Sequence, residues 1–160
     1  MLTPADLQTF LRTHTIAGEL LHLDVPTPTV ETAAQAVGAY PDQIVKSVLF
    51  LIDNQPVLAI AYGLAHIERR PIADRYQVGR KRVKLADAET VLHFTGYPAG
   101  AVPPFGHPQP LPTLIDPGVL QYEQVYAGGG AGNALVRVHP REILRVTGAE
   151  LVRLVRNGGG

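Results

Sequence analysis

Ile44-Val45-Lys46-Ser47-Val48-Leu49-Phe50-Leu51-Ile52, closed by Asp53-Asn54 and answered by Val57-Leu58-Ala59-Ile60-Ala61-Tyr62, is the stretch that decides the fold. The run is almost wholly apolar and rich in β-branched residues, so it reads as a buried strand over 44–52 with a hairpin partner over 57–62. Side chains alternate across a strand, which puts Ile44, Lys46, Val48, Phe50 and Ile52 on one face. Lys46 is then the single charge on that face. Its stem has two destinations: the sheet margin, where the ammonium snorkels to water, or a cavity that holds an anion or polar ligand.

Helices and shorter strands flank the hairpin. Thr3 as N-cap, Pro4 at the first helical position and Asp6 in the first turn predict a helix over 4–13, with Leu7, Phe10 and Leu11 buried. A short strand over 19–23 and a Pro26-Thr27-Pro28-Thr29 break lead to a second helix, where Val30, Ala33, Ala34 and Val37 share one face and Gly38 ends the run. Further on, the pattern predicts a helix over 71–77, a strand over 83–86, and a helix capped by Asp87 running to Phe94. Beyond residue 107 it predicts strands over 113–116, 124–127 and 134–138, a helix from Pro140 to Val146, and a last helix over 149–156. Asn157 to Gly160 reads as a frayed tail. Strands broken by helices of uneven length lack the regular alternation of a doubly wound sheet. The expected class is therefore α+β: a single domain over 1–156 with a mixed, largely antiparallel sheet and surrounding helices.

At 160 residues and 46% apolar, the chain is long enough for one real core and too hydrophobic to be disordered. Fourteen basic and fourteen acidic side chains cancel, so a polyanion partner must be met by a local patch rather than by net charge. Cysteine is absent, which removes disulfides, thiolate metal sites and a thiol nucleophile. No apolar run nears the ~20 residues of a membrane span and no signal peptide is legible at the N-terminus, so a soluble, cytoplasmic protein with no membrane partner is expected.

Chemistry-bearing residues concentrate in a few places. Thr95 to His107 holds three glycines and three prolines: Pro98, Pro103 and Pro104 fix φ, while Gly100, Ala101 and Val102 keep their N–H groups beside small side chains. That is either a rigid surface turn or a carbonyl cradle set before substrate arrives. Between Glu68 and Lys84 lie Arg69, Arg70, Arg75, Arg80, Lys81, Arg82 and Lys84, half of all basic residues, forming a solvated face or a footing for a phosphate backbone. The run Gly128-Gly129-Gly130-Ala131-Gly132-Asn133 has no Lys-Ser/Thr to close a phosphate loop and sits between strands, so a hairpin turn is the better reading. Six scattered histidines show no metal-ligand spacing, and Ser47, the only serine, has no neighbouring histidine; neither a metal nor a serine triad is expected. Asp116 starts a turn or orients a substrate group, and His107 is a base, a specificity contact or a surface ring.

In order along the chain, Gln43-Ile44-Val45-Lys46-Ser47, Thr95-Gly96-Tyr97, Gly100-Ala101-Val102-Pro103-Pro104-Phe105-Gly106, Leu114-Ile115-Asp116 and Gly129-Gly130 resemble the YbaK/ProX family. That family comprises trans-acting deacylases related to the editing domain of bacterial prolyl-tRNA synthetase, and the resemblance spans about residues 26–144. It implies hydrolysis of the ester of a mischarged aminoacyl-tRNA, for proline or a related tRNA, without cofactor. Lys46 matches the essential lysine, contacting the terminal adenosine and its phosphate, and the loop of Gly100 to Pro104 would offer the Gly100 and Ala101 amides to the ester carbonyl. Water or the substrate itself would attack. Lys46, Gly100 and Ala101 are the implied catalytic set. His22, Ser47, Val102, Pro104, His107, Asp116, Gly128, Gly129 and Gly130 are the implied substrate contacts, and Arg80, Lys81 and Arg82 the expected tRNA-backbone contacts.

One departure concerns the pocket. In the branch that removes cysteine from tRNA for proline, relatives carry Tyr, Ser and Asp where this chain has His22, Gly128 and Leu135. An altered pocket, narrowed by His107, suits alanine, serine or threonine as well as cysteine. The implied partners are aminoacyl-tRNA and, as a second candidate, prolyl-tRNA synthetase, with no DNA. A non-catalytic module that binds a tRNA end, a nucleotide or a synthetase is the alternative.

Overall fold

In the computed structural model, residues 1–156 are described; the expected tail over 157–160 lies outside them. The element order is α1 (Pro4–Thr13), β1 (Gly18–His22), α2 (Val30–Val37), β2 (Val45–Ile52), β3 (Gln55–Tyr62), α3 (Arg69–Tyr76), β4 (Val83–Leu85), α4 (Ala88–Thr95), β5 (Thr113–Ile115), β6 (Val125–Gly128), β7 (Ala134–Val138), α5 (Pro140–Thr147) and β8 (Glu150–Leu151). Local signals act where they stand. Thr3 and Asp6 form a capping box at α1, Asp87 Oδ1 accepts from Thr90 N at 2.8 Å, and Gly38 closes α2 in the left-handed region.

The hairpin is the centre of a five-stranded sheet in the order β4-β2-β3-β5-β8, antiparallel across β4-β2-β3 and parallel across β3-β5-β8. A second sheet, β1-β7-β6, is wholly antiparallel. The two meet at one parallel bridge, Ile44 to Tyr126. The expected mixed, largely antiparallel arrangement is present, divided between two sheets rather than held in one.

Both faces of the larger sheet are covered, which explains why β2 is apolar but for Lys46 and Ser47. Val45 and Leu49 join Leu58, Ile60, Ile115, Val125 and Val136 in the main core, with Leu7 and Leu11 of α1 and Ile143 of α5. The alternate residues Phe50 and Ile52 pack with Val57, Ala59, Leu114 and α3 residues Ile72 and Ala73 on the other side. A smaller cluster of Ala33, Ala34, Ile44 and Leu135 lies under α2.

Two boundaries differ from expectation. Helix α3 begins at Arg69, two residues before Pro71, because a proline within the first turn displaces no intrahelical donor. The expected helix over 149–156 does not form. Leu114 and Ile115 of β5 pair with Glu150 and Leu151, Val152 N donates to Ile115 O at 3.0 Å, and the Asp116 carboxylate takes the N–H groups of Leu154 and Val155. Those donors are engaged by extended-chain partners, so no helical ladder is available to them. Among the described residues no helix is long and apolar enough to cross a membrane.

Candidate functional site

Strand β2 has one incomplete edge. Strand β3 accompanies it from Val45 to Ile52, but β4 pairs only with Phe50–Ile52, and β6 bridges to the chain at Ile44, just before β2 begins. Between these two points opens a cleft of about 380 Å³. Lys46, Ser47 and Val48 line it from β2, Gly100 and Val102 from the proline-glycine loop, and Gly128 and Leu135 from the β6–β7 hairpin. Gly63 N donates to Ile44 O and Ala86 N to Leu49 O, so the peptide groups of β2 alternate between β3 and the open edge. Ser47 shares the side of Leu49 and presents its N–H and C=O towards the cleft. Its hydroxyl is buried and has no hydrogen-bond partner among the described residues.

Lys46 does not snorkel. Its Nζ donates to Gly63 O at 3.2 Å and to Ala65 O, both in the turn after β3. An ammonium has three N–H donors, so one remains for a ligand. Partial burial lowers the pKa below the ordinary lysine value, because desolvation disfavours the charged form.

The loop is held from both sides. Tyr97, Ala101, Val102 and Phe105 are buried anchors, while Gly100 is exposed. Ala101 N donates to Pro98 O at 3.0 Å, and Gly100, at φ +85°, occupies the position of that turn where a side chain is strained. Ala101, expected to offer its amide to a substrate, therefore commits it within the turn. The amides of Gly100 and Val102 have no protein acceptor among the described residues. Gly130 N donates to Ala101 O at 2.9 Å, tying the loop to the glycine hairpin. At Gly128 a Cβ would run into the Val102 carbonyl and lie 2.9 Å from the Ala101 carbonyl carbon, so the two backbones meet where no side chain fits.

The remaining sequence-predicted positions fall into two groups. Val102 and Gly128 line the cleft with Lys46, Ser47 and Gly100, whereas Gly129 and Gly130 act behind it, Gly129 N closing the hairpin on Ala134 O at 3.0 Å. The others lie apart. His22 is exposed at the end of β1, in a depression shared with Tyr126 and Arg137. Pro104 and His107 line a separate cavity of about 240 Å³ with Phe10, His14 and Phe105, so His107 does not narrow the cleft. Its Nε2 donates to Pro103 O at 2.8 Å, and burial lowers the imidazole pKa, which keeps the ring neutral. Asp116, expected at the substrate, is buried and fully engaged: Oδ1 accepts from Gly118 N at 2.8 Å, and Oδ2 from Leu154 N at 2.7 Å and Val155 N at 3.1 Å. Arg80, Lys81 and Arg82 are exposed, but Arg82 is paired in two-pronged fashion with Asp53. Among the described residues no cluster of His, Cys, Asp or Glu could hold a metal ion.

Sequence reasoning missed the far wall of the cleft, Thr27, Pro28, Thr29, Val30 and Ala33, at the start of α2. Only the Pro-Thr-Pro-Thr break marked it, and a break gives no direction. It also missed the two carbonyls that hold Lys46.

Several known proteins are similar to this chain in sequence or in structure. The protein YwhH of Bacillus subtilis, itself uncharacterised, is 29% identical over 126 residues, covering 78% of each chain. A proline–tRNA ligase of Maridesulfovibrio salexigens is 35% identical over 86 residues, 52% of this chain and 14% of the ligase, so the match takes in a small part of that enzyme. A crystal structure described as a candidate trans-editing enzyme for prolyl tRNA synthetase superposes with a TM-score of 0.89 at 33% identity, covering 98% of this chain and 100% of the other. The profile of the aminoacyl-tRNA editing domain matches residues 24–146. With that match over most of its length, and the lysine strand, stiff loop and glycine hairpin gathered round one cleft, the chain belongs to the aminoacyl-tRNA editing domain family.

Proposed function

We propose that this protein is a deacylase that hydrolyses the ester of a mischarged aminoacyl-tRNA in trans, in the cytoplasm where tRNA is charged. The observation that carries this reading is that Lys46 lines one cleft with Gly100 and Val102, whose amides are unengaged among the described residues. Ester hydrolysis needs three things: a site for the anionic nucleic-acid end, donors for the carbonyl oxygen as it gains charge, and an attacking oxygen. Lys46 supplies the first with its remaining N–H and full positive charge. The Gly100 and Val102 N–H groups supply the second from a turn already rigid, and one such donor is worth on the order of a hundredfold in rate. Water, or a nucleophilic group of the substrate, attacks the carbonyl carbon; the tetrahedral intermediate then collapses with loss of the ribose oxygen, which takes up a proton.

The walls near the acyl site, Val30, Ala33, Ile44, Val102 and Leu135, are apolar and close together, which suits a small aminoacyl side chain. Arg80 and Lys81 are exposed without a carboxylate partner among the described residues and give the tRNA backbone its footing. The test is turnover of a panel of mischarged tRNAs, including those for proline, by the wild-type protein and Lys46→Ala. Release of amino acid by the wild type and its loss in the variant is expected. Binding without turnover would make the protein a recognition module, and equal release by both would remove the mechanism.

A further inference from the structure

We propose that Gly63 is a positioning residue for Lys46: its main chain fixes where the ammonium of this cleft-lining lysine stands, and only a residue at ease in the left-handed region does so. The proposal rests on the deacylase reading for its effect on activity, and on the geometry alone for its effect on the lysine. Lys46 lies opposite Ala61 in the β2–β3 ladder, and the chain leaves β3 after Tyr62. At Gly63, φ is +67°. This reverses the chain so that the carbonyls of Gly63 and Ala65, on either side of exposed Leu64, both accept from Lys46 Nζ. Gly63 also donates its N–H to Ile44 O at 3.0 Å, so one peptide unit is fastened to β2 while its neighbour holds the lysine.

The choice of acceptors matters chemically. A carboxylate would hold the ammonium but cancel its charge, whereas carbonyls orient it and leave the charge for an anionic ligand. No carboxylate approaches Lys46 within salt-bridge distance among the described residues. The carbonyls also favour the protonated state against the desolvation that burial imposes. A side chain at position 63 meets two obstacles: the positive φ, and the Asp42 carboxylate, whose Oδ1 lies where a Cβ would stand.

The chain has three lysines, Lys46, Lys81 and Lys84, and the last two are exposed, so ¹³C-labelled lysine gives few signals and Lys46 is assigned by its loss in Lys46→Ala. All variants are made in an Asp42→Ala background, which clears the side-chain obstacle and leaves the backbone one. Asn is tolerated in the left-handed region and a β-branched residue is not. Gly63→Val is expected to move the Lys46 titration to lower pH by about half a pH unit or more, through loss of carbonyl acceptors. It should also lower deacylation kcat/KM by about tenfold or more, the scale of a charge-assisted hydrogen bond. Gly63→Asn should match the Asp42→Ala parent in both. If the valine variant does not fold, Gly63→Ala takes its place, with a smaller displacement in the same direction. A folded valine or alanine variant whose Lys46 titrates like the parent overturns the proposal. The two readings fail separately, because activity that survives Lys46→Ala removes the deacylase mechanism while the titration still decides the role of Gly63.

Discussion

Gly128→Ala tests whether the glycine hairpin sets the position of the proline-glycine loop, which the proposed mechanism makes catalytic. An alanine Cβ there would lie 2.8 Å from the Val102 carbonyl carbon and 2.9 Å from that of Ala101, with the Val102 oxygen closer still. Carbon atoms rest at about 3.5–4.0 Å, so one backbone must retreat by roughly 0.7–1 Å. The hairpin is paired along β7 through Val125–Gly128, whereas the loop is held by its buried side chains and by Gly130 N to Ala101 O. The loop is therefore the part that moves, carrying the Gly100 and Val102 amides away from the position proposed for the ester carbonyl. A misplacement of that size costs on the order of a hundredfold in rate, while the overpacking costs about 1–3 kcal/mol of stability. Single-turnover deacylation of the best substrate from the tRNA panel, beside thermal unfolding, separates the two effects. Wild-type stability together with wild-type rate would refute the reasoning, since it would mean that the loop does not rest on the hairpin.

Three further outcomes are expected. Asp116→Ala removes the acceptor of three main-chain N–H groups, two of them buried at Leu154 and Val155, and should destabilise the fold by about 3–5 kcal/mol in chemical denaturation; loss of activity at full stability would instead return Asp116 to the substrate. Because burial lowers the Lys46 pKa and the proposed mechanism uses the ammonium, activity should fall at a pH below the 10.5 of a free lysine. Between the lowered value and 10.5 the unfolded chain binds more protons than the folded one, so stability rises with pH while the rate declines; an alkaline limb unchanged in Lys46→Arg would discount the assignment. Neutralising Arg80 and Lys81 together should reduce the slope of log K against log salt for tRNA binding by about 1.5–2, whereas Arg82→Ala, whose charge already faces Asp53, should change it less.

How much of this was legible in the chain depends on the reach of the interaction concerned. A nearly unbroken apolar, β-branched run closed by Asp53-Asn54 placed the β2–β3 hairpin, Thr3 with Asp6 and Asp87 marked helix starts, and Gly38 marked an end, because each of these acts locally along the chain. The stiffness of the loop was equally local, being a property of Pro98, Pro103 and Pro104 themselves. The sharing of one cleft by Lys46 and Gly100 was open to residue patterns only as a choice between snorkelling and a cavity; the family resemblance favoured the second, and the fold brings the two together.

What tertiary structure alone decided was the allocation of hydrogen-bond partners between distant segments. Gly63 and Ala65 take the lysine, Pro98 takes the Ala101 amide, and Asp116 takes Leu154 and Val155, which in turn keeps the C-terminal segment extended. His107, seven residues from Gly100, turns into a different cavity because Phe105 is drawn into the core between them. A sequence states which donors and acceptors exist, but chain separation does not reveal which of them will meet. Only the packed sheets, by excluding water from some groups and not from others, determine where each polar group must find its partner.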